Sequence, residues 1–113
     1  MKESLWIFSN ATNKATTLQI MKLCELKVLE CFCRFLEAED PKLIEIALDG
    51  LTHIFACGDR MAKDTRSENI YLIEFERHNA LQIVEKLQQH PNYSVYTKAL
   101  FILETFYDIE EPI

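Results

Sequence analysis

Glycine and proline are scarce in this chain, which holds two glycines and three prolines among its 113 residues. Tight turns depend heavily on these two residues, so their scarcity argues against an all-β fold. Leucine, isoleucine, alanine, glutamate and lysine are frequent, and they favour helix. Apolar residues make up 49% of the chain, well above the proportion typical of disordered segments. The composition therefore predicts a folded, helical protein.

Positive charge and long apolar runs are also lacking. Twelve lysines and arginines face eighteen aspartates and glutamates, which gives a net charge of −6. Binding to a nucleic-acid backbone needs a basic surface, so we expect no nucleic-acid partner, and an acidic surface suits basic partners instead. No apolar run is long enough to cross a bilayer and no signal peptide is evident, so we expect no membrane association.

The sequence shows no pattern typical of a metal site or a catalytic site. The four cysteines (Cys24, Cys31, Cys33 and Cys57) have no C-x₂-C spacing, and positions 31 and 33 of a helix point to different faces. Buried, reduced thiols are the favoured interpretation. The histidines are scattered, and no phosphate loop or nucleophile–base order accompanies them. We therefore expect no metal, no cofactor and no enzymatic activity.

An internal repeat gives the first indication of architecture. The segment 4–10 aligns with 47–53, which lies 43 residues further on, and with 99–105, a further 52 residues along. Armadillo and HEAT repeats span about 40–47 residues. The longer second interval needs an insertion, which we place at 58–68, where polar residues cluster as in a loop.

Each repeat divides into a short, a medium and a long helix. The expected helices begin at Thr16 or Thr17, cover 26–37, and begin again at Asp40–Pro41 with Gly58 as a stop. A second triplet is expected at 70–76, 81–89 and 91–107. Each helix has one wide apolar stripe that must be buried on its neighbours, so stacked triplets predict a solenoid whose third helices line a concave face.

Residues 3–12 carry the feature that points to a family. They read Glu-Ser-Leu-Trp-Ile-Phe-Ser-Asn-Ala-Thr and resemble the Glu-x-x-Trp-x-x-Ser-Asn-Ala-Thr signature of importin-alpha, the nuclear-import adaptor. The resemblance continues through Gln19–Ile20, Ala47–Leu48 and Lys98–Ala99, and so covers nearly the whole chain. It implies an all-α, armadillo-repeat right-handed superhelical solenoid fragment of about two and a half repeats. Residues 1–14 would end one repeat, 16–58 form a complete repeat, 68–107 an atypical closing repeat, and 108–113 an acidic tail.

The signature has a chemical interpretation as a peptide-binding slot. Trp6 and Asn10 are four residues apart and share one helix face, with Glu3 one turn earlier. An indole packs against the methylenes of lysine or arginine and attracts the cation, while an asparagine amide can bind an extended peptide backbone. By resemblance, Glu3, Trp6 and Asn10 belong to the minor site for nuclear localisation signals. The alternative is that Trp6 is a core aromatic.

Departures from the family pattern limit the expected site. Asp49 and His53 stand at the tryptophan and asparagine positions of the next repeat, so the slot is expected only once. Lys27 falls where the family usually has glycine, so either Lys27 adopts a strained φ there or the turn differs from that of the family. The resemblance also implies an export receptor and nucleoporins as partners at the C-terminal end, where an acidic rim (Glu104, Asp108, Glu110 and Glu111) would lie. Shuttling between cytoplasm and nucleus follows from the same resemblance.

The sequence is also compatible with two other classes of protein. A non-transport armadillo or HEAT scaffold would have the same fold without the slot, and an enzyme subunit or regulatory helical bundle would have a closed core. The chain also begins within a periodic helical segment, so we expect a longer natural protein. Leu5 and Phe8 would then be exposed, and we expect self-association through this face.

Overall fold

The computed structural model describes Ile7, residues 10–12 and residues 16–107. Residues 7 and 10–12 are helical. The helices that follow are α1 Thr17–Glu25, α2 Val28–Phe35, α3 Pro41–Thr65, α4 Ile70–Arg77, α5 Ala80–Lys86, the 3₁₀ helix Leu87–Gln89 and α6 Tyr93–Phe106. No strand occurs in this part of the chain, and the predicted all-α class is confirmed. The acidic tail assigned to 108–113 lies outside the described residues.

The helix starts follow from local capping chemistry. Thr16 and Gln19 form a capping box before α1, in which the Thr16 hydroxyl accepts from the Gln19 backbone N–H at 3.2 Å. The Asp40 carboxylate accepts from the Lys42 N–H at 2.9 Å, and Pro41 occupies the first helical position of α3. Both predicted starts are confirmed.

Lys27 joins α1 to α2 in a left-handed conformation with φ of 66°. Of the two alternatives for this turn, the strained left-handed conformation of Lys27 is the one observed. Asn79, with φ of 57°, makes the corresponding turn between α4 and α5. Asparagine tolerates this region better than lysine does, because its short polar side chain can form local hydrogen bonds.

The predicted loop at 58–68 is wrong over most of its length. Helix α3 continues through Gly58 to Thr65, and Arg66 ends it in a left-handed conformation. Gly58 is buried in the helix, and a Cβ there would overlap the side chain of Asn69. This glycine therefore makes room for a neighbouring segment and does not stop the helix.

The core forms around α3, which packs against α2, α4 and α6. The Phe55 ring meets Phe75 of α4 and Phe106 of α6 edge to face, with ring centroids 5.0 and 5.4 Å apart. On the other side the Phe32 ring of α2 lies against Gly50, where a Cβ would overlap it. The third helices of the two triplets, α3 and α6, thus lie side by side.

The structure is flattened, with principal extents of 38 × 34 × 23 Å. None of the helices described is both long enough and apolar enough to span a bilayer. The two helix triplets pack against each other mainly through α3, which contacts α4 and α6 of the second triplet.

Candidate peptide-binding face

The predicted slot lies at the edge of what the structure describes. Glu3 and Trp6 lie outside the described residues, as do Leu5 and Phe8 of the expected self-association face. Asn10 is described: it is helical and its side chain is exposed. The assignment of Glu3, Trp6 and Asn10 to a peptide site therefore stays a prediction, with Asn10 accessible as such a site requires.

Thr12 connects the helical residues 10–12 to α3. Its side chain is buried, with 2% exposed, and its hydroxyl oxygen lies 3.0 Å from Nδ1 of His53. His53 occupies the position that corresponds to Asn10 in the repeat alignment. On α3 this position is engaged with the preceding unit, so it does not offer a free amide to a peptide.

His53 lies in a partly desolvated, mixed electrostatic environment. Burial lowers the pKa of His53 below its ordinary value of 6.5, the Asp49 carboxylate opposes this shift, and the Lys98 ammonium reinforces it. The neutral imidazole is thus the form that the folded protein favours.

Asp49 pairs with Lys98 of α6 across the two third helices. The Lys98 Nζ donates to Asp49 Oδ1 at 2.9 Å, with 34% of the Lys98 side chain and 45% of the Asp49 side chain exposed. An ion pair this exposed contributes at most about 1 kcal/mol to stability. The position of the pair matters more than its energy. Lys98, a lysine of the chain itself, lies beside Asp49, and Asp49 stands at the position where the first unit has a tryptophan.

A cleft of about 600 Å³ opens elsewhere, between α4 and the first two helices. Its apolar lining includes Met21, Ile70 and Ile73, which are all partly exposed. The carboxylate of Glu74 on its rim lies 3.5 Å from both Arg77 and His78. Sequence reasoning missed this cleft, although the isoleucines three residues apart on a short helix were a signal for it.

The cysteines lie in apolar surroundings. Burial raises the pKa of Cys24 to about 11 and that of Cys33 to about 12, so both thiols stay protonated at neutral pH. Cys57 is buried and its thiol donates to the Met61 sulfur at 3.9 Å. Within the described ranges, no group of three or more histidine, cysteine, aspartate and glutamate side chains is placed to hold a metal ion.

Comparison with known proteins supports the same architecture. Residues 69–112 match the family described as "Atypical Arm repeat", beginning at the N-cap of α4. Importin subunit alpha-5 of Arabidopsis thaliana is 34% identical over 110 residues, which cover 97% of this chain and 21% of that protein. The chain is homologous to the importin alpha subunits.

Two further importin alpha relatives show the extent of the similarity. Importin subunit alpha-2 of Arabidopsis thaliana is 35% identical over 82% of this chain and 18% of its own length. Importin subunit alpha-3 of Caenorhabditis elegans is 30% identical over 82% of this chain and 17% of its own length. The chain thus spans about a fifth of the length of these importin alpha subunits, all three of which are named as importin subunits and not as enzymes.

Proposed function

We propose that this chain is a segment of a nuclear-import adaptor that binds basic nuclear localisation signals through Glu3, Trp6 and Asn10. The observation that carries the proposal is the 34% identity to an importin alpha subunit over 97% of the chain. The role is that of a binding scaffold and not of an enzyme. A partner of this kind would be a cargo protein that presents a lysine- or arginine-rich segment in extended form.

The environment of Asn10 supports the proposal. Asn10 is exposed, and Thr12, on the same helical turn, anchors that turn to α3 through His53. A slot residue held on a packed helix loses little conformational entropy when a peptide binds. The net charge of −6 also favours a basic partner.

The C-terminal end of the chain is proposed to contact other transport factors. Residues 68–107 would form the closing repeat of the solenoid, with Glu104 on an acidic rim continued by the tail 108–113. An export receptor and nucleoporins are the proposed partners there, and movement between cytoplasm and nucleus is the proposed localisation. A pull-down of the export receptor by this chain, lost after charge reversal at Glu104, would test this part separately.

The slot is tested by titrating a lysine- and arginine-rich peptide while following the fluorescence of Trp6, the only tryptophan in the chain. We expect a saturable change that weakens as salt rises, because charge attraction is screened. A peptide with its basic residues replaced by glutamine is the matched ligand control and should cause no change.

The same titration by calorimetry identifies the residues responsible. Trp6→Ala combined with Asn10→Ala should abolish measurable binding, whereas Gln82→Ala, which removes an exposed amide from α5, should have no effect. Calorimetric binding that survives the double substitution, together with Trp6 fluorescence of the unsubstituted chain that the peptide leaves unchanged, would favour a non-transport armadillo scaffold instead.

A further inference from the structure

Phe101 is an aromatic residue that α6 turns away from the core. Its side chain is 52% exposed, whereas Ala99, Ile102 and Leu103 around it in the sequence are fully buried. A phenylalanine exposed to this extent leaves part of its aromatic ring accessible to a partner from solvent.

The Asp49–Lys98 ion pair identifies the face of α6 on which Phe101 lies. Lys98 lies one turn before Phe101 and reaches Asp49 at 2.9 Å, so the face of α6 that carries Lys98 and Phe101 continues from the Asp49 position of α3. In the repeat alignment Asp49 corresponds to Trp6, and Phe101, 52 residues after Asp49, is the third member of that series. Phe101 therefore stands where the last repeat would carry the aromatic wall of a slot.

A carboxylate accompanies this ring. Glu104 lies one turn after Phe101, is exposed, and takes part in none of the ion pairs formed within the described ranges. The ammonium of Lys98, in contrast, is already neutralised by Asp49. An aromatic face with an unpaired carboxylate beside it attracts a cation and repels an anion.

We propose that Phe101 and Glu104 form a second slot, which takes one lysine or arginine side chain of the same extended peptide. This inference rests on the proposed function, since it extends the peptide beyond the first slot. The second slot has the reverse order of the first: the acid follows the aromatic residue by three positions in α6, whereas Glu3 precedes Trp6 by three.

The separation of the two slots sets the peptide length. The helical residues 10–12 lie beside α3 through the Thr12–His53 contact, and α6 lies against α3 through the Asp49–Lys98 pair. Two interhelix spacings of roughly 8–10 Å each require a span of roughly 16–20 Å. An extended peptide rises about 3.3 Å per residue, so its basic residues should stand about five or six positions apart.

The test compares two synthetic peptides on the whole 113-residue chain by calorimetry. One has a single basic cluster, and the other has a second cluster six residues away, joined by serine and glycine. We expect the second peptide to bind roughly two- to fivefold tighter, the gain that a solvent-exposed cation–π contact provides. Phe101→Ala should remove this gain and Glu104→Gln should reduce it, while the affinity for the single-cluster peptide changes little.

Control variants separate this result from unfolding and from failure of the first slot. Tyr93→Ala removes another exposed aromatic from α6, about 12 Å away along the helix axis, and should leave both affinities unchanged. If Phe101→Ala alters neither affinity while Trp6→Ala weakens both, the second slot is wrong and the proposed function stands. If neither peptide binds the unsubstituted chain, both proposals are overturned.

Discussion

Asn69 is a buried side chain that joins two helices at the residue scale. Its amide nitrogen donates to the Phe55 carbonyl and to the Asp59 carboxylate, each at 2.9 Å, and its oxygen accepts from the N–H groups of Tyr71 and Leu72. One residue thus caps α4 and fastens it to the middle of α3. Because buried polar groups are costly when unpaired, this network favours a single position for α4.

Gly58→Ala should therefore destabilise the protein, although alanine is the better helix former. The added methyl group would overlap Asn69, and we expect a loss of about 2 kcal/mol in the free energy of unfolding, measured by urea denaturation. The matched background is Asn69→Ala, where the obstacle is gone and the same glycine substitution should be neutral or slightly stabilising. A cost that persists in that background would show that some other neighbour restricts Gly58.

His53 makes stability depend on pH, also at the residue scale. Burial lowers its pKa in the folded state below 6.5. As the pH falls below that value, the unfolded chain takes up a proton that the folded chain does not, so the free energy of unfolding falls. Above that value the imidazole is neutral in both states and contributes no pH dependence.

The expected result is that His53→Gln loses less stability than the unsubstituted chain between neutral pH and pH about 5.5. Glutamine keeps hydrogen-bonding capacity toward Thr12 without titrating. Urea denaturation of both proteins at the two pH values measures the difference. Equal losses in the two proteins would mean that His53 has the same proton affinity whether folded or unfolded.

At the element scale, the turn between α1 and α2 is so short that its conformation depends on one residue. Lys27 holds φ at 66° with an exposed side chain and no side-chain cap, so its Cβ is crowded without a compensating bond. The resemblance to a family with glycine at this position indicated two alternatives, a strained φ or a different turn, and the structure has the strained φ.

Lys27→Gly should stabilise the protein by about 1 kcal/mol, because relief of the left-handed strain exceeds the entropy that glycine loses on folding. The thermal or urea midpoint measures this gain. Lys63→Gly, in the last turns of α3, is the matched control and should destabilise by a similar amount. If both substitutions destabilise, the left-handed conformation of Lys27 is not strained.

Local signals made the helix starts predictable, since Thr16 and Asp40 act within their own first turns. The end of α3 was mispredicted because the glycine at position 58 has a non-local cause. Gly58 leaves room for the side chain of Asn69, eleven residues away in the sequence. The partners of Asp49 and His53 were also unpredictable, because Lys98 and Thr12 lie 49 and 41 residues from them. For the candidate site, the sequence predicted the residue types and the helix face that they share. It did not predict that Lys98 of the chain itself would pair with Asp49.

At the scale of the whole molecule, α3 packs against helices of both triplets. It contacts α1 and α2 on one side and α4 and α6 on the other, and the buried residues form one continuous cluster. In repeat proteins, stability is the sum of repeat and interface contributions, and a large interface couples neighbouring repeats. The two triplets should therefore unfold together.

Leu103→Ala tests this coupling at a distance. Leu103 is fully buried in α6, and its truncation should cost about 2–5 kcal/mol. We expect Trp6 fluorescence, which reports on the first unit, and far-UV circular dichroism, which reports on all helices, to shift to the same lower urea midpoint. Glu85→Ala, on the exposed face of α5, should move neither. If the fluorescence midpoint is unchanged while the dichroism midpoint falls, the closing repeat unfolds independently of the first unit. The second slot would then lie in a repeat that the unit with the first slot does not stabilise.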